Sequence, residues 1–281
     1  MLARSMWAAK EWGVPGVGIG RRAAAVLSVA AMMGAMAGCG DGGSRAGDGK
    51  PSAAASMSAD RRMSESLALL KGYRSLGLKG EFRGDMTRKV DLHADRQGNC
   101  VGTYTEPGTT TRVITTKVVI IGDRGWVAYD DAGLEIIRSF AKSFVPDKVA
   151  TVEKAVKRAR GKYVEYPARE LLQFPSVILC ALDQAFAGVP GKVSSAKEVG
   201  NPGTRAGERL VQLTHGSGGD EVSVYVPEKG GSVPRGIDFS FGDAPVLLEL
   251  DDYDEPVRVK QPDRADIVSA EEVQGLDAIS G

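Results

Sequence analysis

Metal-binding side chains are scarce in this chain: its 281 residues include 2 His, at 93 and 215, and 3 Cys, at 39, 100 and 180. A structural zinc site needs four such ligands at short spacings. No such spacing occurs, so a zinc scaffold is excluded and no metal or cofactor is implied. An excess of either charge is missing too, because 36 Lys+Arg stand against 36 Asp+Glu. A dedicated nucleic-acid binder carries a basic footprint, and nucleic acid is therefore not an expected partner. With 42% hydrophobic residues, 26% charged residues and 36 glycines, the chain is also no collagen, coiled coil or wholly disordered polymer.

What is present begins with an address. Arg21 and Arg22 are followed by an uncharged run over residues 23–38 and then by Cys39. A run of this length falls short of the ~20 residues that cross a bilayer, but basic residues before a short apolar run closed by small residues make a secretory signal. The last four residues, Met36-Ala37-Gly38-Cys39, resemble the bacterial lipobox, with Met36 where Leu is usual. Residues 1–38 are thus read as a lipoprotein signal peptide and Cys39 as the lipid anchor, holding the protein extracytoplasmically at the cell membrane. An ordinary cleaved signal with an incidental cysteine is the alternative. The Arg pair also allows twin-arginine export, although the following Ala-Ala-Ala lacks the usual bulky residues.

Loss of residues 1–38 removes four basic residues and Glu11, leaving 32 basic and 35 acidic. Residues 40–59 contain no aromatic and no Val, Leu or Ile, so they cannot bury enough surface to fold. Residues 39–59 read as a lipidated flexible tether, with an r.m.s. reach of roughly 25 Å.

The remaining residues, 60–281, are long enough for one α+β domain and are not divided by a linker. Met63, Leu67 and Leu70 recur at helical spacing. The period then becomes two: Leu78, Gly80 and Phe82 alternate with charged residues, as do Val90, Leu92 and Ala94, which predicts strands. Further strands are expected over 100–105, 111–121 and 126–130. A helix is expected over 132–144, ended by Pro146, and a second over 149–159. A short strand at 161–166 precedes a third helix starting at Pro175 and carrying Ile178, Leu179, Leu182 and Phe186. Strands return near 192–199, 207–215, 220–227, 235–242 and 245–252. The total is about eleven strands with hairpin-length connections, an antiparallel sheet with helices covering one face.

In its order of parts the chain resembles the LolA-like superfamily, in the branch of LppX/LprG-type actinobacterial lipoproteins. The resemblance rests on the lipobox and tether, on Gly98-Asn-Cys-Val-Gly-Thr-Tyr104 and Gly122-Asp-Arg-Gly-Trp-Val127, and on Gly161-Lys-Tyr-Val164. It continues through the stretch 222–227 to a closing Tyr253-Asp-Glu-Pro-Val-Arg-Val259 with Pro262. It implies a strongly curved half-barrel with helices on its concave face, an apolar cavity for acyl chains, a lipid or glycolipid ligand, and no catalysis.

If the helical pair over 132–160 lies on the concave face, Ile137, Phe140 and Phe144 line one space with Ile114, Val118 and Ile120 from the long strand. A fully packed core would show the same alternation, so an anchored sensor or protein-interaction module with a filled core is the rival to a lipid carrier. Cys100 and Cys180 are expected to form a disulfide, being the two cysteines left in an oxidising compartment. The other candidates read as structure. Thr214-His-Gly-Ser-Gly-Gly-Asp220 lacks the glycine two residues before Ser217 that a nucleophile elbow needs, and reads as a hairpin loop. His93 lies on the polar side of its strand, solvated. Asp251-Asp-Tyr-Asp-Glu255 lacks the spacing of a calcium loop and reads as an acidic turn. Lys154, Lys157, Arg158, Arg160 and Lys162 form a solvated helix face, with anionic headgroups as the alternative partner.

Overall fold

A computed structural model describes residues 57–83, 87–108, 113–174, 176–200, 203–205, 207–242 and 244–279. The proposed signal peptide, Cys39 and most of the tether lie outside the described residues.

Helix α1 (Ala59–Gly72) opens at Ser58, whose hydroxyl accepts from the Arg61 N–H, and buries Met63, Ser66, Leu67 and Leu70. The strands follow in hairpins, β1 (Ser75–Arg83), β2 (Thr87–Asp95), β3 (Cys100–Pro107), β4 (Val113–Ile121) and β5 (Arg124–Tyr129). Asp130 then caps α2 (Asp131–Phe144), one carboxylate oxygen accepting from Gly133 at 2.7 Å and the other from Thr115 of β4, also at 2.7 Å. This double use fixes where the helix leaves the sheet. A turn at Pro146–Lys148 leads to α3 (Val149–Ala159), and β6 (Tyr163–Pro167) and α4 (Ala168–Leu171) follow.

The helix expected from residue 175 is instead a 3-10 turn, Ile178–Cys180, and a single helical turn, α5 (Leu182–Ala185), separated by Ala181 at φ −105° and ψ 80°. Its helical spacing nevertheless marks burial, since Leu179, Leu182 and Phe186 are all enclosed. The C-terminal part supplies β7 (Lys197–Glu198), β8 (Thr204–Arg205), β9 (Glu208–His215), β10 (Val222–Pro227), β11 (Gly236–Phe241), β12 (Ala244–Asp251) and β13 (Ile267–Ser269), then a 3-10 segment, Ala270–Ile279.

Twelve strands run in the order β13-β6-β5-β4-β3-β2-β1-β12-β11-β10-β9-β7, with β8 paired to β9 separately. The sheet is therefore open, with β13 and β7 at its edges, and the fold is α+β as expected. Two details differ from the sequence reading. The strands among the described residues number thirteen, and β13 pairs with β6 in parallel. Three residues are too few to show a period, and so β13 left no trace in the sequence pattern.

Directly opposed residues of neighbouring strands point to one face of a sheet, and the register traces that face across the molecule. From β6 through β1 it runs Val164, Val127, Val118, Gly102, Leu92 and Leu78. It continues from Leu78 to Leu250 of β12, while Leu248, Ile237, Val224 and Leu213 extend it from β12 to β9. Two glycines on this face mark where the backbone folds in on itself. A Cβ on Gly80 would lie 1.9 Å from the Leu247 carbonyl oxygen, and one on Gly102 2.1 Å from that of Asp91. Glycine within a strand at such close approaches is the signature of a bend.

Candidate functional site

The apolar face is covered in two parts. The main core joins β1–β5 and β9–β12 to α1, α4, α5 and the 3-10 turn, and includes Leu67, Leu78, Val118, Ile120, Leu179, Phe186 and Val224. A second core joins α2 and α3 to β6, β13 and the C-terminal 3-10 segment, through Leu134, Ile137, Val152, Val156, Val164, Val268 and Leu276. Tyr129 and Tyr166 pack against both cores and form the seam between them.

The six cavity candidates are divided by this arrangement. Val118 and Ile120 are enclosed in the main core. Ile137 belongs to the second core. Ile114 stands against the first turn of α2, where a Cβ on Gly133 would come within 2.9 Å of its Cγ2. Phe140 and Phe144 turn outward instead, 37% and 69% exposed, with ring centroids 4.6 Å apart. The physical cause is the position of the helix end. Gly133, Leu134, Ile137 and Ala141 complete the buried stripe, and Pro146 then diverts the chain before a further turn can bring Phe144 inward.

Cys100 and Cys180 are disulfide-bonded, with Cα atoms 5.4 Å apart. The bond fastens β3 to the 3-10 turn and so holds the cover of the main core to the sheet. Beside it lies a cleft of about 170 Å³ lined by Ile120, Leu172, Leu182 and the ion-paired Arg96 and Asp183. A second cleft of about 220 Å³, lined by Arg83, Ser223, Asp238, Phe239 and Leu247, opens across β10–β12.

Polar groups on the inward face are few. Tyr104 lies between Val90 and Thr116 in the register; burial pushes its pKa up, against the lowering effect of its hydrogen bond with Thr116. On the outward face Trp126 is 1% exposed beneath Arg124, whose guanidinium carbon stands 5.0 Å from the ring centroid. In the sequence Trp126 entered only as part of the stretch Gly122-Asp-Arg-Gly-Trp-Val127. His93 is also on that side, but it is half-buried, and its Nε2 is enclosed without a partner among the described residues rather than solvated.

The remaining sequence candidates take structural places. Thr214 and His215 end β9, and residues 216–221 form the turn to β10, where Gly216 has φ 85° and a Cβ would meet the Asp220 carbonyl oxygen at 2.5 Å. The acidic run 251–255 is tied to β1: Asp251 pairs with Lys79 at 3.3 Å, Asp254 accepts from the Arg74 N–H at 2.6 Å, and the Ser75 hydroxyl donates to the Glu255 carbonyl. Tyr253 donates to the carbonyls of Pro234 and Leu250, and burial pushes its pKa up to about 12. In the basic group, Arg158 pairs with Glu272, Arg160 with Asp131 and Glu135, and Lys162 with Asp266. Among the described residues, Lys154 and Lys157 have no such partner, and no group of His, Cys, Asp and Glu side chains could hold a metal ion. No helix among them is long and apolar enough to cross a membrane.

No protein-family model matches the chain, and no curated protein matches it in sequence. Among solved structures it is similar to LprF from Mycobacterium bovis, with 14% identity and a TM-score of 0.48, covering 73% of this chain and 96% of that one. It is also similar to the lipoprotein LppX of Mycobacterium tuberculosis, with 13% identity and a TM-score of 0.43, covering 72% of this chain and 98% of that one.

Proposed function

We propose that the protein is an extracytoplasmic lipoprotein, anchored to the cell membrane through Cys39, whose domain binds or shuttles a lipid or glycolipid without covalent chemistry. In this reading residues 1–38 are the signal peptide, 39–59 the tether and 60–281 the lipid-binding domain. The observation that carries it is the apolar inward face, which runs unbroken from Val164 of β6 to Leu213 of β9 and is covered by two separate cores meeting at Tyr129 and Tyr166.

A second reading has its own observation. Val118 and Ile120 are 0% and 2% exposed, and clefts of about 170 and 220 Å³ fall below the roughly 300–1,000 Å³ of common ligand sites. A filled core of this kind suits an anchored envelope sensor or protein-interaction module.

The test is mass spectrometry of organic extracts from residues 40–281, exported from a bacterial host under a cleavable signal. A carrier brings lipid in near-stoichiometric amount. Lipid no higher than for an unrelated exported protein would overturn the carrier reading in favour of the filled core.

A further inference from the structure

The Phe140–Phe144 pair is left over from folding. The buried stripe of α2 is complete without either ring, Phe144 is 69% and Phe140 37% exposed, and the two rings pack on each other. Two adjoining exposed phenylalanines on a helix end mark an interaction surface. Their surroundings are basic. Lys142, paired with Glu153 at 3.4 Å, lies between them in sequence, and Lys148, exposed in the turn just beyond, has no ion-pair partner among the described residues. Residues 131–162 as a whole carry eight basic and four acidic side chains in a chain of zero formal net charge.

We infer that the end of α2 docks on an anionic phospholipid bilayer, with Phe140 and Phe144 entering the interface and Lys142 and Lys148 meeting the headgroups. Aromatic rings beside lysines on a helix suit the boundary between headgroups and acyl chains. The placement rests on the anchored reading: nineteen residues separate Cys39 from Ala59, where α1 begins, and a coil of that length keeps the domain within roughly 25 Å of the surface. At that effective concentration a weak contact suffices.

The test uses residues 40–281, which contain every residue of both cores but no anchor. Flotation with phosphatidylglycerol/phosphatidylcholine vesicles is expected to carry the protein along, with little binding to phosphatidylcholine alone and loss of binding in high salt. Phe144→Ser should lower partitioning about tenfold, as expected for one withdrawn ring, and Phe140→Ser/Phe144→Ser should lower it further. Both variants should keep the wild-type melting temperature, because neither ring is part of a core. As a second readout, Phe144→Trp should blue-shift with anionic vesicles against the constant background of buried Trp126.

Equal flotation of the double variant, or no flotation of the wild type, would overturn the inference. So would Phe-dependent self-association in sedimentation, which makes a second copy the occupant. None of these failures touches the anchor, which is read separately by acyl labelling of Cys39.

Discussion

Cys100, in the first position of β3, is bonded to Cys180, in the 3-10 turn that follows α4, and both are buried, at 0% and 2% exposure. The link spans 80 residues and includes β4, β5, β6 and the whole α2–α3 hairpin. Closing a loop of that length stabilises by about 4 kcal/mol in the chain-entropy model. Replacing both cysteines by alanine should lower the unfolding free energy in urea by that order. Two titratable thiols in the denatured, unreduced domain would show that the bond does not form.

Gly102 should tolerate no side chain. Its φ is 154°, and an added Cβ would stand 2.1 Å from the Asp91 carbonyl oxygen, a backbone atom that cannot swing away. Gly102→Ala is expected to destabilise by about 3 kcal/mol or more, the upper end of point mutants. Gly122→Ala, with nothing within 4 Å of its Cβ but a φ of 60°, should cost only the backbone penalty of about 1–2 kcal/mol. Equal melting temperatures for the two variants would contradict the close approach.

Tyr253 makes stability fall in alkali. Burial raises its pKa from 10.0 to about 12, so between those values the folded state holds a proton that the unfolded state has lost. Stability is complete below pH 10 and declines as pH rises toward 12. Tyr253→Phe should flatten that decline in a pH series of urea midpoints. An unchanged slope would show that Tyr253 is not the titrating group.

Val118→Trp separates the two functional readings. Val118 is fully enclosed in the main core, so the larger ring costs ~1–3 kcal/mol by overpacking. The carrier reading expects the fold to survive and the co-purified lipid to fall away. A lower melting temperature with lipid recovery unchanged would count against it.

Cys39 should take up the acyl groups. Metabolic labelling with an alkyne-palmitate analogue in a host that processes lipoproteins is expected to mark the wild-type chain and leave Cys39→Ala unlabelled. One chain anchors marginally and two anchor stably, so the wild type should also withstand a salt wash of the membranes. Equal labelling of the alanine variant would place the modification elsewhere.

The sequence by itself determined the strands and their faces. Leu78 and Phe82, Val90 and Leu92, and Val246 and Leu248 alternate with polar neighbours because a strand's side chains point to opposite sides at every step, and each pair lies on the inward face. The Cys100–Cys180 bond was legible for a different reason: a compartment argument left only one pair. α2 and α3 were legible from period and proline, with starts and stops nearly as read.

Only the tertiary structure decided what each buried side chain meets. Ile137 and Val118 both sit on apolar stripes, yet one belongs to the second core with Val152 and the other to the main core with Leu179. Phe144 continues the apolar spacing of α2 but remains in the open, because Pro146 diverts the chain just beyond it. Trp126, on the face opposite Val127, is 1% exposed, and β13 has only three residues to announce a parallel pairing. Periodicity follows from the geometry of one segment and can be read along the chain. The partner across a contact is set by segments a hundred residues away, and no local pattern encodes it.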